Sequence, residues 1–282
     1  MKTRSIAIQG VSGAFHQEAA EIHFGSQISL VECITFRELV EKVQKGIANN
    51  GVMAVENSLV GSMLPNYSLI RDSSLYIIGE IYLRIKQNLM ALPGQKITDL
   101  VEVHSHPMAI SQSFEFFRSF PSIRLVESAD TALSAKEIAE AQKFGIGAIG
   151  SEMAARMYGL EILAPSIETN KENFTRFVVL SREKPEPPKN GQVKASVAFS
   201  APHIPGGLAG VLQPLGETGV NLTMLQSLPL VGYSWEYIFH ADLVFPTTQA
   251  AEAAIGTLKT QVNKIWVMGI YPASSDVLHD AK

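Results

Sequence analysis

Gly51-Val52-Met53-Ala54-Val55-Glu56-Asn57-Ser58 decides how the first two thirds of the chain are read. A short apolar run gives way to an acid, an amide and a hydroxyl, the mark of a buried strand whose carboxyl end opens into a loop. The unit recurs at Ser5-Ile6-Ala7-Ile8, Leu100-Val101-Glu102-Val103, Ile123-Arg124-Leu125-Val126 and Ile146-Gly147-Ala148-Ile149. Helical stretches lie between and after these runs, over 14–24, 36–45, 107–117, 132–143 and 152–158. Buried strands alternating with helices define an α/β fold.

Arg182-Glu183-Lys184-Pro185-Glu186-Pro187-Pro188-Lys189-Asn190-Gly191 breaks that rhythm. A polar segment with three prolines can neither continue a helix nor pair as a central strand, so it marks a domain boundary. Beyond it the periodicity predicts a strand over 193–200, a helix over 208–218, strands over 221–228 and 234–245, a helix over 248–262 and a strand over 264–270. That βαββαβ order is ferredoxin-like.

Composition narrows the function classes. The length of 282 residues suits two domains, and 46% hydrophobic with 18% charged residues excludes a disordered chain. The net charge of −4, with Lys and Arg scattered, leaves no electrostatic footprint for nucleic acid or an anionic membrane. Cys33 is the single cysteine, which rules out an intrachain disulfide and a cysteine-based zinc site and suggests a cytoplasmic setting. No apolar run is long enough for a spanning helix.

In α/β sheets ligands sit at the carboxyl ends of strands, where helix N-termini present unpaired N–H groups. The junctions here read Gly10-Val11-Ser12-Gly13, Glu56-Asn57-Ser58, Ser105-His106-Pro107, Asp130-Thr131-Ala132 and Gly150-Ser151. Singly, each is an ordinary helix cap. Together they make a cleft of neutral donors suited to a small polyanion. The Gly10–Gly13 loop lacks the G-x-G-x-x-G spacing of a dinucleotide site. His104 and His106 flank Ser105 without the further ligands a metal needs, and adjacency does not make a nucleophile–base pair. Glu56 is the candidate carboxylate, with charge complementation of a helix N-terminus as the equal alternative.

Asn173-Phe174-Thr175-Arg176-Phe177, leading into Val178-Val179-Leu180, is the most distinctive segment. An arginine there can grip a carboxylate bidentately, and the threonine hydroxyl can serve a leaving group. Strand alternation puts Thr175 and Arg176 on opposite faces, so both cannot point into one cleft unless the strand has barely begun. Spacing alone therefore leaves Arg176 equally a carboxylate clamp or one half of a structural ion pair.

Through these motifs the chain resembles the prephenate dehydratases over nearly its whole length. Ile8-Gln9-Gly10 to Phe15 is similar to that family's opening glycine loop, and Glu56-Asn57-Ser58 with Gly61 to its P-x-E-N-S motif. Ser105-His106-Pro107 with Gln112 resembles its S-H-P helix start, and Asn173 to Phe177 its N-x-T-R-F signature. Thr131-Ala132 and the stretches Ala148-Ile149 and Tyr158-Gly159-Leu160 match as well. The resemblance implies a catalytic domain over 4–181 of two lobes, like type 2 periplasmic binding proteins, with the active site between them. The first lobe would take about 4–79 plus 165–181, and the second about 80–164. A linker over 182–192 would lead to 193–272, which resembles an ACT domain, a ferredoxin-like module that binds amino acids at subunit interfaces.

The implied activity is decarboxylating dehydration of prephenate to phenylpyruvate in phenylalanine biosynthesis. It needs no metal or organic cofactor, and the implied assembly is a homodimer or homotetramer without nucleic-acid or membrane partners. Thr175, Arg176, Glu56, Asn57 and Ser58 carry over as catalytic residues, and Ser12, Asn173, Phe174, Phe177, Thr131 and Ser151 as substrate-binding ones. Thr175 would donate to the departing hydroxyl; Arg176, with backbone N–H groups near Ser12, Ser58 and Ser151, would clamp the carboxylates. An L-phenylalanine effector would meet Gly207-Leu208-Ala209, Asn221-Leu222 and Gln226-Ser227. The family's E-S-R-P motif reads Gln226-Ser227-Leu228-Pro229 here, without its glutamate and arginine. The same fold would equally suit arogenate, the amino analogue of prephenate, or a solute-binding sensor that breaks no bond.

Overall fold

A computed structural model describes residues 3–230 and 237–274. The chain opens with β1 (Arg4–Gln9), α1 (Phe15–Phe24), β2 (Ile28–Cys33), α2 (Phe36–Gln44), β3 (Asn50–Asn57), the short β4 (Gly61–Ser62), α3 (Leu64–Asp72) and β5 (Tyr76–Arg84). It continues through β6 (Asn88–Ala91), β7 (Glu102–Ser105), α4 (Pro107–Gln112), α5 (Phe114–Phe117), β8 (Arg124–Glu127), α6 (Thr131–Glu140), β9 (Ile146–Gly150), α7 (Glu152–Tyr158) and β10 (Glu161–Ala164). β11 (Phe174–Ser181) then returns to the first sheet, whose order is β2-β1-β3-β11-β5. The second sheet runs β10-β6-β9-β7-β8.

β11 is inserted antiparallel between β3 and β5, although it is the last strand before the linker. Its sequence explains the position: Val178, Val179 and Leu180 are fully buried, as a strand covered on both faces requires. β5 belongs to the first sheet as far as Arg84, beyond the expected lobe limit near Gly79. The helix expected over 107–117 is divided at Ser113 into α4 and α5. The periodicity missed β2, β5, β6, β10 and α3. β6 has only four residues, and α3 starts at Leu64-Pro65 with few apolar positions to repeat.

The C-terminal unit comprises β12 (Val193–Ser200), α8 (Gly207–Gly216), β13 (Asn221–Pro229), β14 (Tyr237–Phe245), α9 (Thr248–Gln261) and β15 (Lys264–Pro272), with sheet order β13-β14-β12-β15. Positions 234–236 of the strand expected over 234–245 lie outside the described residues. One face of the sheet packs on α8 and α9 through Val197, Phe199, Val211, Leu215, Ile255 and Leu258. The other face shares a core with the first lobe, where Ala198, Ile238, Met268 and Tyr271 meet Met53, Tyr67, Ile77 and Val178. β15 approaches β5 so closely that a Cβ on Gly269 would lie 2.1 Å from the Ile77 carbonyl oxygen. The linker thus joins units that are packed together by a common apolar core.

Candidate active site

A cavity of about 240 Å³ opens between the first two sheets, at the carboxyl ends of their parallel strands and the amino ends of the antiparallel β11 and β6. The first lobe contributes Gln9, Phe15, His16, Asn57, Thr175 and Phe177; the second contributes Gln87, His106, Gln112, Asp130 and Thr131. No lysine or arginine is among the described residues that line it. Phe15, Phe177, Val60, Met63 and Ile85 supply apolar walls able to hold a six-membered ring.

Thr175 sits where β11 meets the cleft, paired with Asn57 across the β3 ladder. The Asn57 amide nitrogen donates to Thr175 Oγ1 at 3.0 Å and to Asn173 Oδ1 at 2.8 Å. Asn173 is fully buried, and its own amide donates to Gln112 Oε1 at 2.9 Å. With the Asn57 donor satisfying the threonine oxygen, the hydroxyl proton is available to an acceptor in the cavity. The Asn57–Asn173–Gln112 chain crosses from one lobe to the other and fixes that orientation.

Arg176 faces the opposite way, as strand alternation requires. It is 3% exposed and does not line the cavity. Its Nε donates to Glu80 Oε2 at 2.8 Å, its Nη2 to the Tyr271 hydroxyl at 3.0 Å and its Nη1 to Asp242 and Tyr67. Lys194 Nζ bonds the same Glu80 oxygen at 2.8 Å, so two cations and two anions form a buried cluster across the interdomain contact. Burial opposes the charge on Arg176, but Asp242, the Tyr271 and Tyr67 hydroxyls and Glu80 outweigh it and hold the guanidinium protonated. The expected carboxylate clamp is therefore a structural ion pair.

Several other expected residues also support the cleft from outside. Glu56 lies on the Arg176 side, its carboxylate 3.7 Å from Nη1, because it alternates with Asn57 along β3. Ser58 clips β3 to β11: its hydroxyl donates to the Glu172 carbonyl at 2.6 Å and accepts from the Phe174 amide at 2.9 Å. Ser12 gives both its amide and its hydroxyl to Glu32, at 2.7 and 2.6 Å, so that amide is not available to a substrate. Ser151 caps α7 and donates to the Gly13 carbonyl at 2.6 Å, joining the lobes behind the cavity. Phe174 is half-buried outside the lining, while Phe177 and Thr131 line the cavity.

Sequence reasoning passed over His16, Gln9, Gln87 and the carboxylate of Asp130. Burial drives the His16 pKa down to about 3, keeping it neutral. Its Nε2 accepts from the Ala54 amide at 3.4 Å, which assigns the ring proton to Nδ1. Phe177 packs edge-on against it with ring centroids 5.0 Å apart. His106 Nδ1 accepts from the Met108 amide at 3.2 Å, leaving Nε2 as the proton-bearing nitrogen. Only the junction position of His106 and Asp130 pointed to them in the sequence, and His16 sits inside a helix where nothing distinguishes it from a core histidine.

In the C-terminal unit, Gly207 opens α8, and Leu208 lines a cavity of about 210 Å³ with His203, Tyr237 and Asn263. Ala209 follows in the same helical turn. Asn221, Leu222, Gln226 and Ser227 lie on the edge strand β13, paired with β14, and do not line that cavity. Among the described residues no helix is long and apolar enough to cross a membrane.

Residues 6–185 match the family described as prephenate dehydratase. Arogenate dehydratase 2 of Petunia hybrida is 36% identical over 96% of this chain and 72% of its own length. The structure of a prephenate dehydratase from Arthrobacter aurescens in complex with L-Phe superimposes with a TM-score of 0.85 at 26% identity, covering 95% of this chain and 90% of that one. A structure described as GqqA, a novel type of quorum-quenching acylase, reaches a TM-score of 0.87 at 30% identity, covering 97% and 99%.

Proposed function

The chain belongs to the prephenate dehydratase family, and from that premise we propose that it catalyses a decarboxylating dehydration, taking prephenate to phenylpyruvate or its amino analogue arogenate to phenylalanine. The ring carboxylate leaves as CO2, its bonding pair enters the ring, and the 4-hydroxyl departs with the C–O pair. Aromaticity supplies the driving force, so the protein needs to orient the ring and stabilise the departing hydroxide. Thr175 stands where it can do the second. The observation that carries the reading is the Asn57–Thr175 hydrogen bond inside the cleft, which leaves the threonine proton for the departing oxygen. His106, Gln112 and Thr131 are the hydrogen-bond donors for the carboxylates, taking the role expected of Arg176.

The test is prephenate turnover by Thr175→Ala and Thr175→Ser. Loss of one positioned donor at a developing charge typically costs on the order of 10²- to 10³-fold in kcat. The alanine variant should fall by that factor while the serine variant stays within about tenfold of native, following the same principle. Near-native turnover by Thr175→Ala would refute the role. An acylase reading finds no support at Thr175, whose hydroxyl is bonded to an amide and not to a histidine base.

Feedback by L-phenylalanine through the C-terminal unit is the regulatory part of the proposal, supported by the L-Phe complex of the Arthrobacter aurescens structure. Calorimetry with phenylalanine checks it, and absence of heat at saturating effector would refute it. Pairing of these units between chains, giving a homodimer or homotetramer, is the proposed assembly, and light scattering measures it.

A further inference from the structure

We propose that Asp130 is a specificity-determining residue of the cleft, and that it receives the ammonium of an aminated substrate, so that the chain acts on arogenate in preference to prephenate. The inference rests on the dehydratase reading above and names the substrate of the same site.

Charge balance is the first ground. Prephenate carries two carboxylates, whereas arogenate carries the same two and an ammonium in place of the side-chain ketone. The described cavity lining has no lysine or arginine and includes the carboxylate of Asp130. Bringing a dianion beside that carboxylate in a water-poor cleft is opposed by like-charge repulsion, and the extra ammonium of arogenate turns the contact into an attraction.

Position is the second ground. Asp130 caps α6 with one oxygen, Oδ1, which accepts from the Leu133 amide at 2.9 Å. The other oxygen, Oδ2, reaches across to the first lobe and lies 2.9 Å from where a Cβ on Gly10 would be. Gly10, at φ +96°, has both the conformation and the absence of a side chain that this approach needs. β1, which ends beside Gly10, is separated from β11 by β3 alone. Two strand spacings are roughly 10 Å. The substrate's 4-hydroxyl and its amino-acid arm leave the ring at opposite, para positions. A ring placed with its hydroxyl at Thr175 therefore sends the arm toward the β1 end, where Asp130 stands.

The environment of the carboxylate agrees. Burial raises its pKa, backbone N–H groups of Leu133 and Ala132 and the nearby His106 oppose that, and Glu32 adds like charge. A cationic ligand group would relieve such a site.

The experiment compares kcat/KM for arogenate and prephenate in the native enzyme and in Asp130→Asn and Asp130→Ser, both of which keep a helix-capping side chain. The native enzyme should favour arogenate. Both variants should lose arogenate efficiency and gain prephenate efficiency, lowering the ratio at least tenfold. An equal change on both substrates would show a capping role only and overturn the assignment, as would a native preference for prephenate. A native enzyme inactive on both substrates would instead refute the dehydratase reading itself.

Discussion

Replacing Arg176 separates the two roles that the sequence left open for it. The guanidinium is 3% exposed and is held by Glu80, Asp242, Tyr67 and Tyr271. With Lys194 on the same Glu80 oxygen, the buried groups balance as two positive and two negative charges. Arg176→Met deletes one cation and leaves the Asp242 carboxylate with the Ser196 hydroxyl as its hydrogen-bond donor among the described residues. Breaking a buried pair by removing one partner costs about 3–5 kcal/mol, because an uncompensated charge stays in the interior. In a chain of this size that is a fall in Tm of about 10 °C.

Thermal unfolding followed by circular dichroism measures the loss, and steady-state kinetics on the same samples measure KM. Stability should fall while KM for substrate stays within about threefold of native, since the lost group makes no contact with the cleft. The double variant Arg176→Met/Asp242→Asn restores neutrality with Glu80 and Lys194 still paired, so it should recover a large part of the lost Tm. A tenfold rise in KM with unchanged Tm would refute the structural assignment and reinstate the carboxylate clamp.

Other groups in the same interface make separate predictions. His240 is fully buried, neither ring nitrogen has a hydrogen-bond partner among the described residues, and burial drives its pKa from 6.5 to about 4. The unfolded chain then binds the extra proton between those values, so stability is unaffected above pH 6.5 and falls as pH drops toward 4, by about 3 kcal/mol for this group. His240→Leu should flatten that part of the stability–pH curve, and an unchanged slope in denaturant titrations would count against it. Gly269→Ala places a methyl against the Ile77 carbonyl and should destabilise by about 1–3 kcal/mol or separate β15 from β5. Gly256→Ala, on the exposed face of α9 with nothing within 4 Å, should stabilise by about 0.5–1 kcal/mol. Equal melting temperatures for the two glycine variants would contradict the close approach.

What could be read from the sequence was what local pattern controls. The apolar runs marked β1, β3, β7, β8 and β9 because a short run rich in Ile, Val and Leu that ends in small or hydroxyl residues reads as a strand, even where, as in β8, it is an edge with no fully buried residue. The position of β11 was beyond local pattern, since its insertion between β3 and β5 depends on pairings 90 or more residues apart, and only the family resemblance pointed 165–181 toward the first lobe. The candidate site divides in the same way. Thr175 and Asn57 were visible as strand-end polar groups, whereas His16 looked like any helical core position and Glu56 like a cleft carboxylate. Burial of polar side chains such as Glu80 and Lys194 left no trace in the sequence, because each is stabilised only by partners from distant segments.

The alternation that could not tell a clamp from an ion pair turns out to assign two jobs to adjacent residues. On β11, Thr175 faces the cavity and Arg176 faces the C-terminal sheet, and the strand is hydrogen-bonded on both sides to β3 and β5. A shift of the C-terminal sheet relative to the first lobe must act on Arg176 through Asp242, one residue from the hydroxyl proposed to do the chemistry. Thr175 is the neighbour of Arg176 on a strand paired along both edges, and it is bonded through Asn57 and Asn173 to Gln112 in the second lobe. The proposed feedback therefore has a contiguous chain of hydrogen bonds and ion pairs to act through, running from the C-terminal unit to both walls of the cleft.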